Sequence, residues 1–226
     1  MQANVRWSVI EKFLPMSAEL QEYVVEHCSP RDDALVEIER QTEALGGIAV
    51  MQMSAEQGAL FTVLVGALGA RLAVEVGTFT GYGAACIARG LAPGGKLICC
   101  EVDPERAAMA VSNLERAGVA EVCDMRVGPA LETLQALPRD ESIDFAFIDA
   151  DKTGYSDYYQ ELLPRMRVGG LIALDNVLRG GQVLDADSGD ESNDAMRKLN
   201  DRIAGDTRVE VAMVPMADGI TFARKK

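Results

Sequence analysis

The sequence predicts an α/β fold in which a mostly parallel sheet of seven strands carries helices on both faces. Short apolar segments alternate with amphipathic helical segments between Leu72 and Leu174, and strands separated by helices pair in parallel. The last two apolar segments, Val209–Val214 and Ile220–Ala223, are joined by only five residues. So short a link predicts an antiparallel hairpin, which reverses the last strand.

The first quarter of the chain is predicted to be helical. Residues 17–27 and 32–45 have the apolar spacing of amphipathic helices, and Ser54-Ala-Glu-Gln57 is a capping box that begins a third helix ending near Leu68. A chain of 226 residues can form one domain. We therefore predict a single domain, residues 1–226, with a helical N-terminal portion (1–68) and a Rossmann-like core (69–226).

The elements of the core follow in order along the chain. Asp103 is expected to cap the helix that Pro104 begins, because aspartate suits the N-cap and proline the first helical position. The predicted strands before the hairpin are Leu72–Val76, Lys96–Cys100, Val122–Val127, Ile143–Ile148 and Leu171–Leu174. One further helix is predicted to begin near Tyr82. The other predicted helices span Ala130–Leu137, Tyr155–Met166 and about Asp194–Ala204. The polar segment Arg179–Asn193 is expected to be a loop, either a mobile rim of a site or an idle surface.

Composition restricts the classes of partner. The formal net charge of −13 opposes binding to nucleic-acid phosphates, and no continuous apolar run reaches the length of a membrane span. The first residues carry charges and a proline where a secretory signal has its apolar core. The five cysteines lack C-x-x-C spacing and favour reduced thiols. We expect a cytoplasmic protein that acts on a small molecule, without nucleic acid or membrane as partner.

A glycine-rich segment follows the first predicted strand and opens a helix. Its spacing in Glu75-Val-Gly-Thr-Phe-Thr-Gly-Tyr-Gly83 is G-x-x-x-G-x-G, so neither the dinucleotide fingerprint nor the lysine of a P-loop is present. Glu75 can face a cationic ligand, which indicates a sulfonium amino acid. Glu101, just after the second strand, can accept hydrogen bonds from both hydroxyls of a ribose. Each glutamate taken alone has a structural alternative, in a turn or in solvent.

Oxygen-bearing side chains end the fourth and fifth predicted strands. Asp149 follows one strand, and Asp175 and Asn176 follow the other, so all three reach the carboxyl edge of the sheet. Hard oxygens without a histidine or cysteine cluster select Mg²⁺ or Ca²⁺ over zinc. Mg²⁺ is the preferred ion, with Ca²⁺ or Mn²⁺ as alternatives, because it keeps positions open for water or for two adjacent hydroxyls of a catechol.

Lys152, three residues after Asp149, is the candidate base. A phenol with a pKa near 10 is a poor nucleophile until a metal stabilises its oxyanion. Burial and a neighbouring cation lower the pKa of a lysine, which then accepts a proton. The alternative is a surface ion pair with Asp149 or Asp151. The sole histidine, His27, lies in a predicted N-terminal helix and is expected to be structural.

These motifs resemble those of the cation-dependent O-methyltransferases, the family of the caffeoyl-CoA and catechol enzymes, and a parallel sheet with one reversed strand is typical of class I methyltransferases. The matching segments are Met53–Gly58, Glu75–Tyr82, Gly128–Ala130, Phe147–Lys152, Asp175–Asn176 and Asp218–Thr221. The resemblance implies a homodimer that transfers a methyl group from S-adenosylmethionine (SAM) to a hydroxyl of a catechol-like substrate. It implies Asp149, Asp175 and Asn176 as metal ligands and Lys152 as base.

The resemblance also implies the residues that bind SAM, which are Met53, Glu75, Gly77, Thr78, Gly83, Glu101, Ala130 and Asp151. Relatives often have a serine at the position of Gly83, so the backbone or water has to contact the methionine carboxylate here. The segment Leu178-Arg-Gly-Gly181 replaces a tryptophan and an asparagine of the plant enzymes, which disfavours caffeoyl-CoA as substrate. Lys12 and Arg179 are the candidate substrate contacts.

Two other functions stay open. One is methylation of a hydroxylated base in transfer RNA by the same fold, which the net charge disfavours. The other is a catalytically idle dimer that binds SAM or metal, which the intact Asp149, Lys152, Asp175 and Asn176 disfavour. A short-chain reductase and an amino-methylating enzyme are excluded, because the motifs Y-x-x-x-K and [DN]-P-P-[YF] do not occur.

Overall fold

The computed structural model describes residues 14–187 and 189–226. The chain divides into two compact units, one up to Pro30 and the other from Arg31 to Lys226, and the single-domain organisation stays a prediction. In the described part of the first unit, helix α1 spans Ala18–Glu26. His27 stacks on Tyr23 with ring centroids 3.8 Å apart, and its Nδ1 lies 2.7 Å from the carbonyl oxygen of the same residue. This histidine has the contacts of a structural residue.

The second unit has the predicted alternation of strands and helices. Its α-helices are α2 (Asp33–Glu43), α3 (Ala55–Leu68), α4 (Tyr82–Gly90), α5 (Pro104–Arg116), α6 (Ala130–Ala136), α7 (Tyr155–Leu162) and α8 (Glu191–Ala204). Its strands are β1 (Leu72–Val76), β2 (Lys96–Glu101), β3 (Cys123–Val127), β4 (Ile143–Ile148), β5 (Met166–Leu174), β6 (Val209–Val214) and β7 (Ile220–Lys225). Short 3₁₀ helices span Gly46–Met51, Ala120–Val122, Leu163–Arg165 and Arg179–Leu184.

The strands form one sheet in the order β3-β2-β1-β4-β5-β7-β6. Strand β7 is antiparallel to both of its neighbours, whereas the other pairs are parallel. This confirms the predicted Rossmann-like sheet with a reversed last strand. The direction of the crossovers changes at β1, between β2 and β4, and ligands of open α/β sheets bind outside the carboxyl ends of the strands at such a point.

The sheet buries apolar side chains on both faces. Neighbouring residues of β2 show the alternation, because Cys99 packs in the core that includes Phe61 of α3, and Cys100 packs in the opposite core with α7 and α8. Strand β4 is buried throughout, as expected for a central strand covered on two sides. All five cysteines are free of disulfide bonds, as predicted.

Several element boundaries differ from the predicted ones, most of all around α7, the start of β5 and the segment Arg179–Asn193. The helix predicted for Tyr155–Met166 ends at Leu162, and a 3₁₀ turn containing Pro164 leads into β5, which begins at Met166. Proline lacks an N–H group and cannot continue an α-helix. The segment Arg179–Asn193 is a loop only in part, because it begins with a 3₁₀ helix and ends inside α8, whose N-cap is Asp190.

One described segment, Gly46–Leu68, is long and apolar enough to cross a membrane by length and composition. It is not one continuous helix, because the 3₁₀ turn ends at Met51 and α3 begins after its cap, Ser54. Phe61 and Val65 of α3 are fully buried against the sheet. A core helix of a soluble fold passes the same length and composition test, so this segment is weak support for a membrane span.

Asp144 joins the beginnings of three strands. Its Oδ2 accepts hydrogen bonds from the backbone N–H groups of Arg71 and Leu72 at 2.7 and 2.9 Å, and its Oδ1 accepts one from Arg167 Nε. Burial alone raises the pKa of this carboxyl, but the backbone donors and the guanidinium outweigh it and hold the pKa below its ordinary value. The ionised form is therefore the stabilising one.

We expect Asp144→Ala to lower the free energy of unfolding near neutral pH by about 2–4 kcal/mol, since it leaves buried donors without an acceptor. A carboxyl with a lowered pKa contributes stability above its unfolded pKa and loses it as the pH falls through the folded value. The difference in the free energy of unfolding between Asp144→Ala and wild type should therefore shrink below about pH 4. Urea denaturation at pH 7 and pH 3 measures it, with the exposed Asp201→Ala as control. An unchanged difference at pH 3 would contradict the electrostatic part of this explanation.

Candidate active site

A cavity of about 870 Å³ lies at the carboxyl edge of the sheet. Residues that follow β1, β2, β4 and β5 line it. Every predicted site residue that the structure describes is among them, namely Met53, Glu75, Gly77, Thr78, Gly83, Glu101, Ala130, Asp149, Asp151, Lys152, Asp175, Asn176 and Arg179. Lys12 lies outside the described residues. One cavity therefore contains both the predicted cofactor residues and the predicted metal ligands.

The glycine-rich turn after β1 packs directly on the end of β4. Gly77 has a φ of +92°, and a Cβ atom added there would overlap the carbonyl group of Asp149. The backbone N–H of Asp149 donates to the carbonyl oxygen of Val76 at 2.8 Å, so the two segments also share a hydrogen bond. A side chain at position 77 is excluded by backbone atoms, which explains the glycine.

Buried polar contacts hold the same turn from the side of the helices. The hydroxyl of Thr80 lies 2.8 Å from that of Thr42 on α2, and its carbonyl oxygen accepts a hydrogen bond from Asn113 Nδ2 on α5 at 2.9 Å. All three side chains are buried. The turn is therefore fixed before any ligand binds.

Glu101 is oriented by two backbone donors. Its Oε2 accepts a hydrogen bond from Phe79 N at 2.7 Å, and its Oε1 accepts one from Asp103 N at 3.0 Å. Each carboxylate oxygen has a further lone pair. The arrangement suits two neighbouring hydroxyls, as the ribose hypothesis requires. Sequence reasoning missed Arg106, whose guanidinium lies 5.9 Å from the centre of the Phe79 ring and which also lines the cavity.

Glu75 has a buried carboxyl group, and one of its oxygens accepts no hydrogen bond from the described residues. The residue is 1% exposed, and that oxygen is Oε2. Burial, together with the nearby acidic groups, raises its pKa well above the ordinary value. A buried charge without a partner is costly, so a cationic ligand group fits this place. A Cβ at Gly83 would lie 2.5 Å from Glu75 Oε1, so a serine there would displace this carboxylate.

Two of the three predicted metal ligands contact the ammonium group of Lys152. Lys152 Nζ lies 2.9 Å from Asp149 Oδ1 and 2.7 Å from Asn176 Oδ1. Asp175 lines the same cavity, and its burial and the charge of nearby Asp149 raise its pKa to about 6, partly offset by hydrogen bonds. Two carboxylates and an amide oxygen line one cavity, and one carboxylate and the amide already bind a cationic nitrogen, so this set of oxygens fits a hard divalent cation.

The amide is essential to this interpretation. Among the described residues, no group of three or more His, Cys, Asp or Glu side chains is arranged to hold a metal. A site at this edge therefore depends on Asn176, whose φ of +55° lies in the left-handed region that asparagine tolerates better than most residues.

Lys152 differs from the surface ion pair considered as the alternative. Its side chain is 13% exposed and contacts Asp149, not Asp151. The third hydrogen bond of its Nζ goes to Tyr155 OH at 2.7 Å. Asp151 instead accepts hydrogen bonds from Tyr158 OH at 2.5 Å and from Gly154 N at 2.9 Å. Both tyrosines lie on α7, three and six residues after Lys152. The sequence analysis did not identify them as site residues, although this spacing can be read from the sequence.

Arg179 lies at the edge of the cavity and is tied to neighbouring elements. Its Nε donates to Asn193 Oδ1 on α8 at 3.1 Å. The next residue, Gly180, donates its backbone N–H to Asp218 Oδ1 at 2.6 Å, which connects the segment to the β6–β7 hairpin. The beginning of the Arg179–Asn193 segment is therefore anchored at two points.

Comparison with known proteins agrees with this geometry. The chain matches the O-methyltransferase family over residues 25–226. It is 37% identical over 207 residues to the probable caffeoyl-CoA O-methyltransferase 1 of Dictyostelium discoideum, with 90% of each chain covered.

The fold is shared with solved structures of O-methyltransferases. The O-methyltransferase from Bacillus cereus in complex with SAH has a TM-score of 0.86 and 33% identity, with 92% of this chain and 97% of that chain covered. The O-methyltransferase TomG from Streptomyces achromogenes, involved in tomaymycin synthesis and solved in complex with SAM, has a TM-score of 0.86 and 31% identity, with 92% and 96% covered. The chain therefore belongs to the O-methyltransferase family and is a SAM-dependent enzyme.

Proposed function

We propose that this enzyme transfers the methyl group of SAM to a hydroxyl of a small catechol-like substrate, and that the reaction requires Mg²⁺. The observation that carries the proposal is the meeting of two kinds of site in one cavity. Glu75 and Glu101 are suited to a cation and a ribose at one part of it, and Asp149, Asp175 and Asn176 present hard oxygens at another. Mn²⁺ or Ca²⁺ would be held by the same oxygens.

The cofactor roles follow from the hydrogen-bonding capacity of each group. Glu75 accepts hydrogen bonds from the α-ammonium group of SAM, which satisfies its orphan oxygen. Glu101 accepts hydrogen bonds from the ribose hydroxyls with the lone pairs that its two backbone donors leave free. The fixed turn around Gly77 lets the ligand pass close to the backbone.

The metal roles follow from charge. Asp149, Asp175 and Asn176 would hold Mg²⁺, which when bound supplies a positive charge that lowers the pKa of a phenolic hydroxyl. Lys152 lies next to these oxygens and takes the proton of that hydroxyl. The hydrogen bonds of its Nζ to Asp149, Tyr155 and Asn176 fix the position of this side chain.

An apolar rim supports an aromatic acceptor. Ile48, Val50 and Met51 line the cavity, and Val50 is 87% exposed. Exposed apolar side chains beside a binding cavity favour a flat apolar ligand over a strongly polar one. This rim agrees better with a small aromatic ring than with a nucleic acid, whose binding normally depends on basic residues.

A methyl-transfer assay on a panel of catechols, with products detected by mass spectrometry, tests the proposal. We expect EDTA to abolish turnover and Mg²⁺ to restore it. Full activity in EDTA would rule out the metal role. Salt-dependent binding and methylation of transfer RNA would favour the RNA alternative, and SAM binding without turnover on any acceptor would favour an idle module.

We further propose that the enzyme is a homodimer, as the resemblance to its family implies, that its chain forms a single domain, and that it acts in the cytoplasm. Light scattering coupled to size-exclusion chromatography tests the oligomeric state. A monomer mass at micromolar concentration, in protein that is active, would contradict the dimer.

A further inference from the structure

We propose that Gln57 is a positioning residue for Asp175, and that its side-chain amide sets the orientation of this carboxylate for the cation. The inference rests on the magnesium site proposed above, because Asp175 is a ligand only if that site is real. Gln57 itself does not line the cavity. Its effect on the reaction is therefore exerted through Asp175.

The contacts of Gln57 connect helix α3 to the end of β5. Gln57 is 2% exposed, and its Nε2 lies 3.2 Å from both Oδ1 and Oδ2 of Asp175. Its Oε1 accepts hydrogen bonds from the backbone N of Ser54 at 3.0 Å and from Ser54 Oγ at 2.9 Å. A carboxylate only accepts and a backbone N–H only donates, so these partners fix which end of the amide faces Asp175.

The carboxylate of Asp175 needs this second donor to be held in one plane. The terminal torsion of aspartate is broad and roughly two-fold. The backbone N–H of Asn176 contacts only Oδ1, at 2.7 Å, whereas Gln57 contacts both oxygens. Asp175 is 3% exposed, so little water is available to replace a lost donor. Oδ1 thus accepts two hydrogen bonds and Oδ2 only one, which leaves Oδ2 more lone-pair capacity for a cation.

The cap of α3 does not explain why the residue is a glutamine. A capping box functions with either glutamate or glutamine at this position, and a glutamate would accept the same hydrogen bonds from Ser54. A glutamate would, however, place a second carboxylate against that of Asp175 and remove the donor. The choice of an amide is accounted for by the contact with Asp175.

The test compares Gln57→Met with Ser54→Ala. Methionine keeps the unbranched shape of glutamine and removes its hydrogen bonds, whereas Ser54→Ala weakens the same helix cap and leaves the contact between Gln57 and Asp175. We expect Gln57→Met to bind Mn²⁺ about 10–100-fold more weakly, as is typical when a partner of a metal ligand is removed. Calorimetry and the electron paramagnetic resonance of free Mn²⁺ measure this affinity without turnover.

Further readouts separate positioning from general destabilisation. SAM affinity measured without metal should stay within about twofold in both variants, because Gln57 lies outside the cavity. In Gln57→Met the KM for the activating metal should rise while kcat at saturating metal changes little. Ser54→Ala should lower the thermal midpoint to a similar extent and keep wild-type Mn²⁺ affinity.

Several results would overturn the inference. Wild-type Mn²⁺ affinity in Gln57→Met, or an equal loss in Ser54→Ala, would show that the glutamine serves only the cap. If Gln57→Met does not fold, Gln57→Asn retains a polar residue in the first turn but is one methylene shorter, and the same loss of affinity is expected. A wild-type enzyme that binds no Mn²⁺ and is active in EDTA would instead refute the proposed metal function.

Discussion

Replacing Asp175 with alanine is expected to reduce methyl transfer at least about 100-fold, because a metal contributes several kcal/mol to stabilising a developing oxyanion. SAM affinity is expected to stay within about twofold of wild type, since the cofactor hypothesis relies on Glu75 and Glu101. Asp175 contacts Gln57 and the backbone of Asn176, and neither is a predicted SAM residue. This one substitution therefore distinguishes the metal site from the SAM site.

Turnover of a catechol substrate and calorimetric SAM binding measure the two effects. Asp157→Ala is a matched control, because Asp157 carries the same charge but is exposed on α7 and does not line the cavity. Asp175→Asn keeps the shape of the side chain and tests whether charge is what matters. Parallel loss of turnover and SAM binding in a folded Asp175→Ala protein would count against a metal role for Asp175.

The Asp175→Ala protein is expected to fold. Burial and the charge of Asp149 raise the pKa of Asp175 to about 6. A carboxyl with a raised pKa contributes stability only below its unfolded pKa and loses that contribution as the pH rises through the folded value. At pH 7.5 the substitution therefore removes an unfavourable charge, which offsets the acceptor that Gln57 loses. A thermal midpoint within a few degrees of wild type would verify this balance.

The fold was predictable where local patterns are unambiguous. Strands β1 and β4 have the predicted bounds because each is a short apolar run between turn residues. The start of β5 was missed because Gly169 and Gly170 interrupt the apolar run, and Gly169 has a φ of +80°. Glycine inside a strand weakens the signal that periodicity provides.

The candidate site was predictable to the extent that it follows from strand order. Parallel strands bring their carboxyl ends to one edge, so residues after β1, β2, β4 and β5 were expected to meet. The contact between Gln57 and Asp175 was not predicted, because it joins side chains 118 positions apart through the packing of α3 on the sheet. Local spacing shows that Gln57 belongs to a capping box and contains no information on what its other end contacts.

Replacing Gly77 with alanine is expected to weaken SAM binding at least about 100-fold, because an added Cβ would overlap a backbone carbonyl that no side-chain rotation can move. The φ of +92° adds strain for any residue with a side chain. Calorimetric titration with SAM measures the loss, and near-ultraviolet circular dichroism reports whether the fold persists.

Gly69→Ala is the matched control for Gly77→Ala. Gly69 also has a positive φ, of +58°, but an added Cβ there meets nothing within 4 Å. We expect it to lower stability by about 1 kcal/mol and to leave SAM binding unchanged. Because the group that Gly77 contacts belongs to Asp149, Gly77→Ala should also weaken Mn²⁺ binding, whereas Asp175→Ala should affect the metal alone. Wild-type SAM affinity in folded Gly77→Ala would show that the close packing of β1 on β4 is not required for the cofactor site.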